Sequence, residues 1–237
     1  MIVKRIIRSS ECNFNAELSL NGIVDIVQDL ITETLKEINC DNITLRNNYH
    51  AMWVYTKNKI HVEKSVKWCE EITVECKSVK SNRLLNYMIT NFINKDNEVI
   101  ISSIVEMCVL DINSYRFVRL TDLPFSYNNQ EMDPTFDFEE TSYSNETKFV
   151  VSPMMIDYSM HLNNTHSIHL FLDSLTLDEL KMIFSHSYDF LIRYNSQAHY
   201  LDHLVLKTEK KNNHFYFSFE QENNKVVSQG ELIVLNK

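Results

Sequence analysis

Apolar residues recur between Leu18 and Ile38 at helical spacing, with Ile23, Val27 and Leu30 on one row and Val24, Ile31 and Leu35 beside it. A stripe that broad, with neither Gly nor Pro after Gly22, predicts a helix of about six turns with one face buried. Residues 2–9 before it read as a short strand. From residue 50 the period shortens to two, and β-branched and aromatic residues predict strands at roughly 51–63, 71–80, 83–94 and 98–112. Ser81-Asn82 and Lys95 to Glu98 supply the turns between them. The first half is therefore a strand, a long helix and an antiparallel meander.

The second half repeats that order. It predicts a short strand near 148–152, a helix from about 164 to 176, a further helical piece around 177–184, and strands near 187–194, 200–209, 213–221 and 225–235. Sliding one half over the other by 145 residues sets Ile23 on Ile168, Ile26 on Phe171, Val27 on Leu172 and Leu30 on Leu175. The chain reads as one unit written twice, in residues 1–120 and 148–237. Between them, residues 121–147 form an acidic linker, free of Lys and Arg and carrying turn-formers such as Asn128-Asn129 and Asp133-Pro134.

Composition narrows the class. The 237 residues are 44% hydrophobic, enough for a sizeable core, while Gly 2 and Pro 3 leave nothing for a Gly-rich phosphate loop. No long apolar run is present, so a cytoplasmic chain without membrane insertion is expected. Cys12, Cys40, Cys69, Cys76 and Cys108 are odd in number and lack C-x-x-C spacing, as suits reduced thiols. Two glycosylation sequons, Asn42-Ile43-Thr44 and Asn145-Glu146-Thr147, have no consequence without a secretory signal. The net charge of −9 is uneven: residues 84–237 carry 11 Lys+Arg against 21 Asp+Glu, and residues 1–83 carry 12 against 11. Within 57–83, Lys57, Lys59, Lys64, Lys67, Lys77, Lys80 and Arg83 form either a dock for an acidic partner or a solvated sheet face. Nucleic acid is not an expected partner of so acidic a chain.

The candidate chemistry lies in the run Met154 to Thr165, immediately before the second helix. In an extended segment Asp157, Ser159 and His161 would share one face while Tyr158, Met160 and Leu162 take the other. Asn163, Asn164 and Thr165 are suited to capping a helix whose unpaired N–H groups and dipole would favour negative charge on an oxygen. The plain structural alternative is a capped pre-helix turn. The repeat offset of 145 places Cys12, Phe14 and Ala16 opposite Asp157, Ser159 and His161, so the polar set is expected in the second copy alone. His161, His166 and His169 raise a metal site, but no acid or Cys spacing completes one; no metal is expected there or at His199 and His203.

Asp157-x-Ser159-x-His161-x-Asn163-Asn164 resembles the Asp-x-Asn-x-His-Val-Asn-Asn motif of acyl-ACP thioesterases, bacterial and plant enzymes. Further pieces fit in order along nearly the whole chain. Gln28-Asp29 stands for a Gln-Glu pair, Trp53-Val54-Tyr55-Thr56 leads a strand, Val62 to Trp68 forms a strand and turn, and Arg116 to Leu120 ends a strand. The resemblance implies an α+β, tandem double hot-dog fold, each half an antiparallel sheet wrapped around a long central helix, with an acyl chain buried between helix and sheet. It implies hydrolysis of fatty acyl-acyl carrier protein to free fatty acid and carrier, with no cofactor and with the carrier's acyl-phosphopantetheine as substrate.

This chain departs from the family pattern at Ser159, where the motif has Asn, and at Gln197 in Tyr194-Asn195-Ser196-Gln197, where the family has Glu; Ala198 stands where plant members carry Cys. Asp157 is expected as general base or nucleophile, and His161 as proton carrier or carbonyl donor. Ser159 and Gln197 would orient the water or the Asp157 carboxylate, and the N–H groups of Asn163, Asn164 and Thr165 would bind the oxyanion. Two other readings stay open: an acyl-CoA thioesterase, and a non-catalytic acyl- or carrier-binding protein with a decayed site. Two fused halves allow either a monomer or a homodimer.

Overall fold

The computed structural model describes residues 1–125, 135–139 and 141–235. Residues 126–134 and 140 of the acidic stretch lie outside them. The chain divides into two units, Met1–Ile60 with Ser65–Thr135, and His61–Lys64 with Phe136–Lys237.

In the first unit β1 (Ile2–Ile6) precedes α1 (Leu20–Glu37), α2 (Asn42–Tyr49), β2 (Ala51–Val62), β3 (Glu71–Ser81), β4 (Leu85–Ile93), β5 (Val99–Asp111) and the two-residue β6 (Phe117–Val118). The strand order is β1-β3-β4-β5-β2, with β6 on β5. α1 starts two residues later than the apolar pattern suggests because Ser19 is its N-cap, its hydroxyl accepting the Gly22 N–H at 3.0 Å. The broad stripe is buried, Ile23, Val27 and Ile31 completely, and each such side chain contributes about 1.5–3 kcal/mol. α2 was not predicted: it buries only Leu45 and is held at its start by Asp41, whose carboxylate accepts the Ile43 and Thr44 N–H groups. One buried position leaves no period to read. Along β4, residues 86, 88, 90 and 92 are buried and their neighbours less so, the alternation of a sheet with one face inward.

The second unit contains β7 (Asn145–Val150), α3 (Asn164–Asp173), α4 (Leu177–Phe184), β8 (Tyr188–Tyr194), β9 (His203–Lys211), β10 (His214–Gln221) and β11 (Val226–Val234). Their order, β7-β9-β10-β11-β8, repeats that of the first unit element for element. α3 has only 10 residues, so among the described residues a long central helix is present in the first unit alone. It stops at Ser174, whose hydroxyl donates to the Phe171 carbonyl, and Thr176 with Glu179 caps α4, which begins at Leu177. Aromatic rings pack the interior of this unit: Phe171 of α3 stacks on Phe217 of β10 at 4.3 Å between centroids, and Phe190 of β8 lies against Phe217. No helix among the described residues is long and apolar enough to cross a membrane.

Candidate active site

The corner that leads from β7 into α3 is not extended. After one 3-10 turn at Pro153–Met155, Ile156 bridges Leu162, the Asp157 N–H donates to the His161 carbonyl at 2.9 Å, and Met160 adopts a positive φ of 67°. Asp157 to His161 therefore form a tight turn, and strand alternation is not what gathers their side chains. The gathering comes from the carboxylate folding back over its own turn, a habit of Asp at such positions. Asp157 Oδ1 accepts the Ser159 N–H at 2.8 Å and the Ser159 hydroxyl at 2.5 Å, with the His161 N–H at 3.4 Å. Tyr158 and Met160 point to solvent, whereas Leu162 is buried.

Ser159 Oγ also lies 3.1 Å from His161 Nδ1. A hydroxyl has one proton, and here it is directed at the carboxylate, so in the neutral ring Nδ1–H donates to Ser159 and Nε2 is the nitrogen that carries the lone pair. The three residues form a chain from imidazole through hydroxyl to carboxylate. Replacement of the family's Asn by Ser leaves this chain closed.

A second segment is pinned against the turn. The Leu162 N–H donates to the Ala198 carbonyl at 2.8 Å, His161 and His199 face each other as a bridge, and their rings meet edge to face at 4.8 Å. Gln197, adjacent to Ala198, is thereby brought beside the turn; its half-buried amide makes no hydrogen bond among the described residues. His199 has no sequence signal as a site residue, since the bridge that places it is a long-range contact.

At the start of α3, Asn163 is the N-cap: its side chain accepts the Thr165 N–H at 3.0 Å, and its own N–H donates to the Met155 carbonyl at 2.8 Å. Two of the three amides expected to face an oxyanion are thus engaged within the protein. Among them the Asn164 N–H alone retains an unused donor, at the positive end of the helix dipole.

The first unit contains the same turn, in a register that corrects the repeat. The Asn13 N–H donates to the Glu17 carbonyl at 2.7 Å, Ala16 has φ 57°, Cys12 bridges Leu18, and the Leu18 N–H donates to Val66. Asn13, Ala16 and Ser19 match Asp157, Met160 and Asn163 at an offset of 144, not 145. The α1 stripe is broad enough that a slip of one residue still pairs apolar with apolar, Val24 with Ile168 and Ile31 with Leu175, so periodicity could not choose. At the correct offset Asn13, Asn15 and Glu17 stand opposite Asp157, Ser159 and His161. The first copy is polar too, but it has an amide in place of the acid and an acid in place of the imidazole. Its Glu17 carboxylate accepts the Ser65 hydroxyl at 2.9 Å, and no Asp-Ser-His chain exists there.

Elsewhere, His166 and His169 lie 5.9 Å apart between ring centroids, and no group of side chains among the described residues could hold a metal ion. In the basic 57–83 stretch, Lys57 pairs with Glu106 at 3.0 Å and Lys77 with Glu75 at 3.3 Å, so these two charges are already engaged.

The family model described as the acyl-ACP thioesterase N-terminal domain matches residues 3–123, just over half of the chain and all before the Asp157 corner. No curated protein matches the sequence significantly. Among solved structures, an acyl-ACP thioesterase from Bacteroides thetaiotaomicron superposes with a TM-score of 0.85 at 16% identity, over 99% of this chain and 97% of that one. A putative oleoyl thioesterase from Lactobacillus plantarum gives 0.83 at 15% identity, covering 100% and 96%. The 12:0-ACP thioesterase from Umbellularia californica gives 0.84 at 14% identity, covering 100% and 97%. At these identities the likeness is one of fold, and the fold is the tandem hot-dog architecture that the motif resemblance implied.

Proposed function

This chain belongs to the acyl-ACP thioesterase family and is a thioester hydrolase of fatty acyl-acyl carrier protein, and we propose that the turn at Asp157, Ser159 and His161 is where it does that chemistry. The observation that carries the assignment is the hydrogen-bonded chain from His161 Nδ1 through Ser159 Oγ to Asp157 Oδ1, set at the start of α3.

Hydrolysis needs a water made nucleophilic and a carbonyl oxygen that can take negative charge. His161 Nε2 takes the proton of the attacking water. As the ring becomes cationic, Asp157 stabilises it through Ser159, and His161 then returns the proton to the leaving thiolate. The tetrahedral oxyanion is met by the Asn164 N–H and the α3 dipole; one such donor is worth roughly 10²–10³ in rate. The free amide of Gln197 orients the water or the carbonyl, a role that needs no ionisation.

The substrate proposed is the acyl-phosphopantetheine of the carrier protein, handled by a cytoplasmic monomer or homodimer without membrane insertion. Purified protein is assayed with matched acyl-ACP and acyl-CoA thioesters, alongside Asp157→Ala and His161→Ala. Turnover of acyl-ACP that either substitution reduces by about 10²–10⁴ supports the assignment. Turnover unaffected by both would remove the site, and preferential turnover of acyl-CoA would change the carrier.

A further inference from the structure

The two units share strand pairs but fill the space inside them differently. Tyr87 faces Glu106 across β4 and β5 as Tyr216 faces Glu231 across β10 and β11. That equivalence sets Asn86, Met88 and Thr90 of the first unit at the positions of Phe215, Phe217 and Phe219 in the second. All six are buried. In the second unit the three rings pack the interior so closely that a Cβ on Gly230 would lie 2.5 Å from Phe217. In the first unit the same column has given up three rings for one Met and two small polar side chains.

Polarity extends sideways from Thr90. Its cross-strand neighbours are Cys76 and Ser103, and the Ser103 hydroxyl donates to Asn58 of β2 at 2.8 Å. All four are buried, and Cys76 lies beside Thr34 of α1, which places the row on the helix side of the sheet. The row is incompletely satisfied. Thr90 is fully buried, and its hydroxyl has no partner of normal geometry, with only the weakly polar Cys76 thiol beside it. Asn86 is also fully buried; its Oδ1 accepts the Ser78 and Ser81 hydroxyls at 2.7 Å each, while its Nδ2 has no partner. Folded proteins rarely leave such groups unpaired, and a bound water or ligand usually completes them.

We propose that the N-terminal unit binds, between α1 and the inner face of its sheet, a fatty chain that carries oxygen along its length. Thr90 Oγ, which donates and accepts, suits a chain hydroxyl. Asn86 Nδ2, a donor only, suits an oxo group. The two lie four residues apart on β4, about 13 Å at the usual strand rise, with Met88 between them against methylene groups. The substrate class is then an oxygenated fatty acyl thioester. This rests on the thioesterase reading for the acyl head and on the repeat comparison for the chain.

The test uses two readouts on the full chain. Calorimetry compares an unsubstituted fatty acid with hydroxy and oxo acids of equal length, the oxygen moved along the chain; kcat/KM is measured for the corresponding acyl-ACPs. The expected result is a preference of roughly tenfold for an oxygenated chain, the worth of about one well-made hydrogen bond. Thr90→Val brings the hydroxy-to-unsubstituted ratio close to one, and Thr90→Ser restores it. Equal binding of all chains by the wild type, as waters on both groups would give, overturns the proposal; so does a preference that survives Thr90→Val. If Thr90→Val does not fold, the wild type and Thr90→Ser still decide. Selective binding without turnover would keep this inference and sink the hydrolase assignment, whereas turnover without selectivity would do the reverse.

Discussion

The Ser159 hydroxyl donates to Asp157 Oδ1 over 2.5 Å, two residues back along the same turn. That bond closes within a local loop, yet its consequence is for His161, because the serine proton is spent on the carboxylate and the imidazole must supply its own.

Ser159→Ala removes the link between acid and imidazole. We expect kcat to fall about 10–100-fold with KM little changed, the signature of an interaction that matters in the transition state. Ser159→Asn, which restores the family's residue, should recover most of that loss. Steady-state kinetics on one acyl-ACP reads both, and a normal kcat in Ser159→Ala would mean that the chain is not catalytic.

Gln197 stands beside the turn, and its amide makes no hydrogen bond among the described residues. Gln197→Ala should lower kcat about tenfold, a single unionised orienting contact, and leave the urea midpoint in place because no internal bond is lost. A large stability change without a kinetic one would mark Gln197 as structural.

Gly22 sits in the first turn of α1, where Ala would normally be favoured by roughly 1 kcal/mol. Here an added Cβ would lie 2.5 Å from the backbone oxygen of Glu11. Gly22→Ala should therefore destabilise, by about 1–3 kcal/mol in urea unfolding, the cost of overpacking.

Burial works against ionisation of Glu106, but hydrogen bonds from Thr56, Lys57 and Tyr87 outweigh it and hold the carboxyl below its ordinary value of 4.5. A depressed acid contributes stability that is present above the unfolded value and lost as pH falls through the folded one. Wild type should exceed Glu106→Gln in stability by on the order of 1 kcal/mol at neutral pH, and the gap should close as pH falls below 4.5. A gap that widens in acid would reverse the sign of the shift.

Phe217 stacks on Phe171 and touches Phe190 and Phe219. Phe217→Ala should cost about 3–5 kcal/mol, read as a lowered urea midpoint. A cost under about 1 kcal/mol would show that the aromatic interior of the second unit is loosely packed.

Much was legible without coordinates because it is written in short-range pattern. The α1 stripe, the alternating strands and the repeated order follow from periods of 3.6 and 2. The motif from Asp157 to Asn164 identified the candidate chemistry, since all its members fall within one turn of chain. What pattern could not supply was register and conformation. A broad apolar stripe tolerates a one-residue slip, so the offset of 145 hid the match of Asn13 and Glu17 with Asp157 and His161. A polar run before a helix reads equally as strand or turn, and only the bond from the Asp157 N–H to the His161 carbonyl decides for the turn.

The sequence by itself determined the family, the two-fold repeat and the residues from which a site could be made, because those depend on local order along the chain. Tertiary structure decided which nitrogen of His161 faces Ser159, which amide at the start of α3 remains unused, that His199 and Gln197 stand beside the turn, and that Thr90 and Asn86 are buried without full partners among the described residues. The first two depend on how one short turn closes; the others depend on groups meeting across the chain, and on burial that withholds water from them. No periodicity encodes either.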